Sequence, residues 1–136
     1  MALDLAAGAD HGVLGTLGHD GHADLVPACF AIDGDVVGIP IDQVKPKAGT
    51  RLQRERNLER DPRATLLVEH WDAADWARLW WVRLRLERSS EAGSVVAGLE
   101  ASLRRRYPQY ADTPFVSILT FRIKAVSGWS ASPRTT

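Results

Sequence analysis

The sequence predicts a mainly β domain, a barrel of six antiparallel strands with two to three short helices. Two Asp-Gly pairs, Asp20-Gly21 and Asp33-Gly34, separate three short apolar runs between Val13 and Gly38. Asp-Gly between alternating apolar segments is a strong hairpin signal, because glycine adopts a positive φ without steric cost. Strands with half-buried faces also need closure to hide their edges, which favours a small barrel.

Length and composition limit the class of protein. The 136 residues form one predicted domain, spanning 1–136, that buries roughly two-thirds of its unfolded surface. Seventeen basic and 17 acidic side chains cancel, which argues against general nucleic-acid or membrane binding. Cys29 is the only cysteine, so neither an intrachain disulfide nor a thiolate zinc site can form. With no signal-peptide pattern, we expect a cytoplasmic protein without a metal site.

The first predicted elements are three strands after a weak helical turn at Leu3–Ala9. The strands are Val13–Leu17, Ala23–Ile32 and Val36–Ile39. Both faces of the second strand are apolar, so we expect both to be covered. Because Pro27 cannot donate to a strand ladder, it indicates an edge, a bulge or a break at that point.

A helix is predicted over Lys47–Arg60, and Asp61-Pro62 ends it because the residue before proline is displaced from the helical region. The strands Arg63–His70 and Leu79–Arg88 follow, separated by a loop. The second of these alternates cleanly. One face carries Trp80, Val82, Leu84 and Leu86, and the other carries Trp81, Arg83, Arg85 and Glu87.

The last predicted helix begins at a Ser89-Ser90 N-cap, has Glu91 in its first turn and ends near Arg106. Its apolar stripe is Ala92, Val96, Leu99 and Leu103. The final strand is predicted over Phe115–Val126, and its alternation directs four side chains inward: Leu119, Phe121, Ile123 and Ala125.

The first candidate binding feature is a basic segment, in which seven of the 19 residues from 45 to 63 are Lys or Arg. Lys47, Arg51 and Arg54 follow at helical spacing and share one face. A helix N-terminus adds free N–H groups, and arginine forks match phosphate oxygens. The alternative is a solvated helix in which Glu55 and Glu59 balance the arginines.

The second candidate feature is a cluster of four of the five tryptophans between Trp71 and Trp81. Alternation places Trp80 and Trp81 on opposite faces of one strand. One is therefore expected in the core, and the other at a dimer interface or against a flat ring. The alternative is that these tryptophans only pack in the core and at an interface and contact no ligand ring.

The sequence contains no nucleotide-binding, zinc-protease or serine-hydrolase motif. The four histidines fit turn positions rather than a metal site, and Cys29 fits a small buried hydrophobe. If the chain is an enzyme, its reactivity is therefore expected to come from a bound cofactor.

The order of the motifs LVPACFAIDGDVV, KPKAGTRLQRERNLERDPRATLLVEHW, DWARLWWVR and SGWS resembles the pyridoxamine-5'-phosphate-oxidase-like split β-barrel proteins. Within that superfamily it is most similar to the F420-dependent oxidoreductases, the flavin/deazaflavin oxidoreductases of class B. The resemblance covers Val13 to Ser130. It implies a Greek-key split barrel of the FMN-binding type that forms a tight homodimer with two cofactor grooves between the protomers.

The resemblance also implies site residues, although no catalytic one. It places the cofactor phosphate at Lys45, Lys47, Thr50, Arg51 and Arg54. It places the ring system near Val26, Pro27, Ala28, Trp80 and Trp129. The chain departs from the family at Leu84-Arg85-Leu86-Glu87, where relatives have an Asp-Gly-x-Ala break, and this departure bears on a bulge near the pocket.

The implied activity is hydride transfer between coenzyme F420 and a small organic acceptor, with FMN as the alternative cofactor. Two other functions stay open at this point. One is a split barrel that carries FMN, haem or a deazaflavin without turnover. The other is an interaction protein with no cofactor.

Overall fold

The computed structural model describes residues 2–42, 53–111 and 115–132. The helices are α1 (Ala2–Ala7), α2 (Gln53–Arg60) and α3 (Gly93–Arg106), with 3₁₀ turns at Trp76–Arg78 and Pro108–Tyr110. The strands are β1 (Gly12–Leu17), β2 (Ala23–Ala28), β3 (Ala31–Asp33), β4 (Val36–Asp42), β5 (Arg63–His70), β6 (Trp80–Ser89) and β7 (Phe115–Ser130). No helix among these described residues is long and apolar enough to span a membrane.

The strands form one antiparallel sheet in the order β2-β1-β5-β6-β7-β4-β3. Its two edge strands are consecutive in the chain, and only Cys29 and Phe30 separate them. Three Cα steps, from Ala28 to Ala31, span at most about 11 Å, so the sheet must curl until its edges approach each other. The predicted antiparallel split barrel is confirmed, with seven strands instead of six.

The additional strand arises because the predicted strand Ala23–Ile32 is interrupted at Phe30. The Tyr107 hydroxyl donates to the Phe30 carbonyl at 3.3 Å and accepts from the Phe30 N–H at 3.2 Å. The Tyr107 side chain, at the end of α3, thus occupies both backbone groups of Phe30, and the strand ladder is interrupted there. Burial raises the pKa of Tyr107 above its ordinary value.

The inner face of the sheet holds the main core. Its largest fully buried side chains include Phe30, Phe121, Leu14, Leu66 and Leu84. Helix α1 and Leu58 of α2 also pack in this core. Helix α3 packs separately, through Leu99 and Leu103, against Ala31 and Val36.

The beginning of α3 corrects the predicted cap. The helix begins at Gly93, and its N-cap residue is Ala92, which makes no side-chain capping bond. Ser89 belongs to β6, where its carbonyl accepts from the Thr120 hydroxyl at 2.8 Å. Glu91 precedes the helix and accepts from Arg122 at 2.8 and 3.0 Å. Pairing with β7 therefore prevailed over local capping preference.

The end of β7 corrects a second expectation. Arg85 pairs with Ala125 and Leu86 with Ile123, so Lys124 is an extra residue in β7. A bulge of this kind reverses the alternation of the residues beyond it. Ala125, predicted to point inward, is consequently exposed, and β7 continues to Ser130.

Candidate functional site

The sheet has an outer face, made of the side chains of β2, β1, β5, β6 and β7 that point away from the core. One row across it, read from the strand register, is Leu25, Gly15, Thr65, Arg85 and Ala125. Apolar side chains are open to solvent on this face: Leu25 is 66% exposed and Trp129 is 51% exposed. The expectation that both faces of strand two are covered is therefore wrong within one chain.

A concavity of about 660 Å³ lies in the outer face, beside the first residues of β5, which follow shortly after the end of α2. Its volume falls within the range of about 300–1,000 Å³ that is typical of small-molecule sites. Apolar lining comes from Leu17, Ala23 and Leu25, and charged lining comes from Arg63, Arg85, Glu87 and Lys124.

The charges around this concavity have a positive excess. Arg63 is neutralised by Asp61, to which it donates from Nε at 3.0 Å and from Nη2 at 2.7 Å. Hydrogen bonds from the side chain and backbone of Arg63 hold the pKa of Asp61 at about 2. Arg85 donates to the neutral Thr65 hydroxyl at 3.0 Å.

Neither Arg85 nor Lys124 has an ion-pair partner among the residues that the structure describes. Both cations line the concavity, with Glu87 as the nearby carboxylate. The local charge therefore favours an anionic ligand.

Helix α2 is attached beside the concavity through polar bonds. The buried Asn57 amide donates to Thr16 Oγ1 at 3.0 Å and to Asp24 Oδ2 at 2.7 Å. Arg60 donates to the Leu17 carbonyl at 3.0 Å, and Leu17 itself lines the concavity. The last turn of α2 thus adjoins the candidate site.

The predicted phosphate residues are only partly within the described chain. Arg54 is half-buried on α2, six residues before Arg60 and therefore about 9 Å from it along the helix axis. The other predicted phosphate residues lie outside the described residues and stay predictions: Lys45, Lys47, Thr50 and Arg51. The predicted end of the helix at Arg60 is confirmed.

The predicted ring contacts divide between the two faces. Val26 and Ala28 pair with inner-face positions of β1, and Pro27 is exposed on the outer face. Trp80 points inward, where its ring stacks on His70 at a centroid distance of 6.3 Å.

Trp129 is opposite Trp81 on the outer face. Trp80 and Trp129 therefore do not form one wall within a chain. Three strands lie between β2 and β7, so Pro27 and Trp129 are also apart.

Sequence reasoning did not identify two residues that line the concavity, Arg85 and Lys124, or the buried Asn57. The alternation of β6 had placed Arg85 outward, which was a usable signal. The alternation of the last strand had likewise placed Lys124 outward, but neither signal indicated that the two cations line one concavity, because that depends on the pairing of β6 with β7. A polar residue before Leu58 in a helix gives no indication that it is buried.

The predicted turn histidines are found at the surface. His19 and His22 are exposed, and His22 Nδ1 lies 3.1 Å from the Asp20 carboxylate. Within the described part of the chain, no group of three or more ligating side chains is arranged to hold a metal ion. Cys29 is half-buried between β2 and β3, less enclosed than expected.

A second concavity of about 510 Å³ lies between α1 and the last residues of β5. Its lining includes Asp4, Asp10, Glu69, His70 and Trp80. It is acidic where the outer concavity is basic, so an anionic ligand would favour the outer one.

No protein-family model matches the chain. Solved structures that share its fold include the following three. A heme-binding protein from Mycobacterium smegmatis is 16% identical, with a TM-score of 0.69 over 96% of this chain and 56% of that one. An FMN-binding protein from Syntrophomonas wolfei is 15% identical, with a TM-score of 0.68 over 95% and 86%. An F420 reductase is 20% identical, with a TM-score of 0.61 over 91% and 94%. At these identities the likeness shows the fold alone, that of the split-barrel proteins.

Proposed function

We propose that this chain is an oxidoreductase that binds a flat, anionic redox cofactor, coenzyme F420, on its outer sheet face. The observation that carries the proposal is the outer concavity, in which Arg85 and Lys124 lie beside apolar side chains and have no carboxylate partner among the described residues. The fold it shares with an FMN-binding protein and an F420 reductase supports the same proposal. FMN is the alternative cofactor.

The residues present fit such a group in two respects. Leu17, Ala23 and Leu25 offer apolar surface to a ring system, and burial against it is favourable. Arg85 and Lys124 offer charge to a phosphate or to acidic substituents. The family resemblance names Lys45, Lys47, Thr50, Arg51 and Arg54 as phosphate residues, and the four basic side chains among them would suit the acidic tail of F420.

When bound, reduced F420 would supply a hydride from C5 to an electron-poor double bond of a small organic acceptor, F420 would be left oxidised, and a proton from solvent would complete the reduction. The role of the chain is to bind the anionic end, to hold the ring against the sheet and to keep water from the reacting atoms. No side chain is proposed as a nucleophile, in agreement with the lack of a nucleophile motif.

We propose in addition that the protein is a homodimer. Leu25, Leu67 and Trp129 are exposed by 66%, 38% and 51% on the outer face, and exposed apolar patches of this kind mark interaction surfaces. A second copy on this face would cover them and close the concavity into a groove. Zero net charge does not oppose the association.

A second candidate function is a carrier that holds FMN or haem without turnover. The heme-binding structure that shares the fold is the observation that favours it. The visible spectrum of the purified protein separates these readings, because flavin, deazaflavin and haem absorb differently. A bound cofactor that is not reoxidised by any acceptor in a broad panel would favour the carrier.

Binding is tested by titrating F420 and FMN while following tryptophan fluorescence. The informative variant is Lys124→Glu, and Arg105→Glu on α3 is its control, since Arg105 is exposed and carries the same charge change. We expect Lys124→Glu to weaken the affinity at least about tenfold, or about 1.4 kcal/mol, and Arg105→Glu to leave it unchanged. Absence of binding by the wild-type protein would overturn the proposal, and equal losses in both variants would refute the location.

A further inference from the structure

Asn57 is a fully buried polar side chain with all of its hydrogen-bonding capacity used. Its amide nitrogen donates to Thr16 and Asp24. Its carbonyl oxygen accepts from Gln53 Nε2 at 2.9 Å and from Arg60 Nη2 at 3.0 Å. A buried amide is costly unless it is satisfied, and a satisfied polar network specifies one arrangement of its elements.

The two residues that accept hydrogen bonds from the Asn57 amide are directly opposite each other in the sheet. Thr16 of β1 and Asp24 of β2 are register partners, so one amide group holds a cross-strand pair. Leu58, next in sequence and 5% exposed, already provides the apolar contact of α2 with the core. Apolar contact tolerates sliding, whereas the bonds of Asn57 fix both the position and the direction of the helix.

We infer that Asn57 is a positioning residue for cofactor binding, and that its bond to Asp24 fixes α2 against the edge strand β2. The inference rests on the proposed function. Arg54, a predicted phosphate ligand, is one turn before Asn57 on α2. Leu25, which lines the outer concavity, directly follows Asp24 on β2. The Asn57–Asp24 bond therefore connects α2, which carries Arg54, to the edge strand that lines the proposed cofactor site.

A shift of this connection would change the distance between the two parts of the site. Misplacement of a binding group by 1 Å can cost about a hundredfold in function. The bond between Asn57 and Thr16 differs, because it holds α2 to β1 and leaves the connection to β2 in place. The two bonds of the same amide therefore provide an internal comparison.

The experiment uses three variants, since Asn57→Ala would also remove the buried network as a whole. Asp24→Ala removes the acceptor on β2. Asp24→Asn restores an acceptor oxygen without the charge. Thr16→Val removes the acceptor on β1 and keeps the shape. For each one, the dissociation constants of F420 and FMN are measured by tryptophan quenching, and the melting temperature is measured without cofactor.

We expect Asp24→Ala to weaken binding of whichever cofactor the wild-type protein takes by about tenfold. Thr16 also lines the outer concavity, but Val keeps the shape of its side chain, so Asp24→Asn and Thr16→Val should both stay within about threefold of the wild-type affinity. Thr16→Val should nevertheless lose at least as much thermal stability as Asp24→Ala, because Thr16 is only 3% exposed and a buried bond is lost.

Two results would overturn the inference alone, given a wild-type protein that binds. One is an Asp24→Ala affinity within threefold of the wild type. The other is a loss of affinity that follows the loss of stability across all three variants, with Thr16→Val the weakest binder, because Asn57 would then act only in folding. A wild-type protein that binds neither cofactor would overturn the proposed function, and this inference with it.

Discussion

Along β1, β5 and β6, neighbouring rows of the sheet belong to two surfaces of different character. The row Leu14, Leu66 and Leu84 faces inward, and each of these side chains is fully buried. The adjacent row, one residue further along each ladder, contains Thr65 and Arg85 and faces outward. A shift of a single position thus exchanges core for open surface, as the period of a strand requires.

The difference shows that a single chain covers the inner face of the sheet and leaves much of the outer face exposed. The inner face has the helices and the curled sheet to cover it. The outer face leaves Leu25 and Trp129 in water and two cations without carboxylate partners among the described residues. A second copy and an anionic ligand would satisfy both needs, so the outer face is the place to look for function.

The sharpest contrast between the faces is at two adjacent leucines of β5. Leu66→Ala removes a side chain that is 0% exposed, and we expect it to lower the free energy of unfolding by about 3 kcal/mol. Leu67→Ala, at a position that is 38% exposed, should cost about 0.5 kcal/mol or less in dilute protein. Urea denaturation at low concentration measures both values. Similar losses would mean that the outer face is as fully packed as the core within a single chain.

The outer face should also control association. We expect the wild-type protein to have twice the chain mass of 15.0 kDa in light scattering. Leu25→Asp places a carboxylate in the proposed apolar interface and should shift the protein to a monomer with unchanged circular dichroism. Ala73→Asp, in an exposed loop, is the control and should remain dimeric. A monomeric wild-type protein at micromolar concentration would contradict the proposed dimer.

The predicted phosphate segment provides a prediction about affinity. Arg51→Glu combined with Arg54→Glu should weaken F420 or FMN binding at least about tenfold and change the melting temperature by less than about 3 °C. Arg56→Glu combined with Arg105→Glu makes the same charge change at exposed positions and should retain the affinity. Comparable losses of affinity and stability would instead indicate that the segment is structural.

The elements that local pattern determines could be predicted from the sequence. The alternation of Leu79–Arg88 gave the correct faces of β6, and Asp61-Pro62 gave the correct end of α2. The corrections arise where distant residues decide. Tyr107 interrupts strand two from 77 positions away, and pairing of Ser89 with Thr120 displaces the predicted cap of α3.

The site was harder to predict for the same reason. Lys124 and Arg85 line one concavity only because β6 pairs with β7, and alternation within a single strand cannot show that. Asn57 donates its buried hydrogen bonds to Thr16 and Asp24, which are 41 and 33 residues away in sequence. The family resemblance supplied a type of cofactor and a list of residues, but it could not assign those residues to a face of the sheet.

The smallest expected effect concerns the ion pair between Asp61 and Arg63 beside the outer concavity. The pKa of Asp61 is about 2 in the folded chain, against an ordinary value of 3.8, because Arg63 donates to its carboxylate. A carboxylate with a depressed pKa contributes stability above its ordinary pKa, and this contribution is lost as the pH falls through the folded value.

Asp61→Asn should therefore be slightly less stable than the wild type at neutral pH. The difference should shrink as the pH falls from 3.8 to about 2. Because the Arg63 side chain is 72% exposed, added salt should also reduce the difference at neutral pH. Urea unfolding of both proteins between pH 2 and pH 7, at low and high salt, measures it. A stability difference that persists unchanged at the acid end would show that Asp61 stabilises the fold through its turn geometry and not through its charge. The ion pair with Arg63 would then contribute no measurable stability beside the outer concavity.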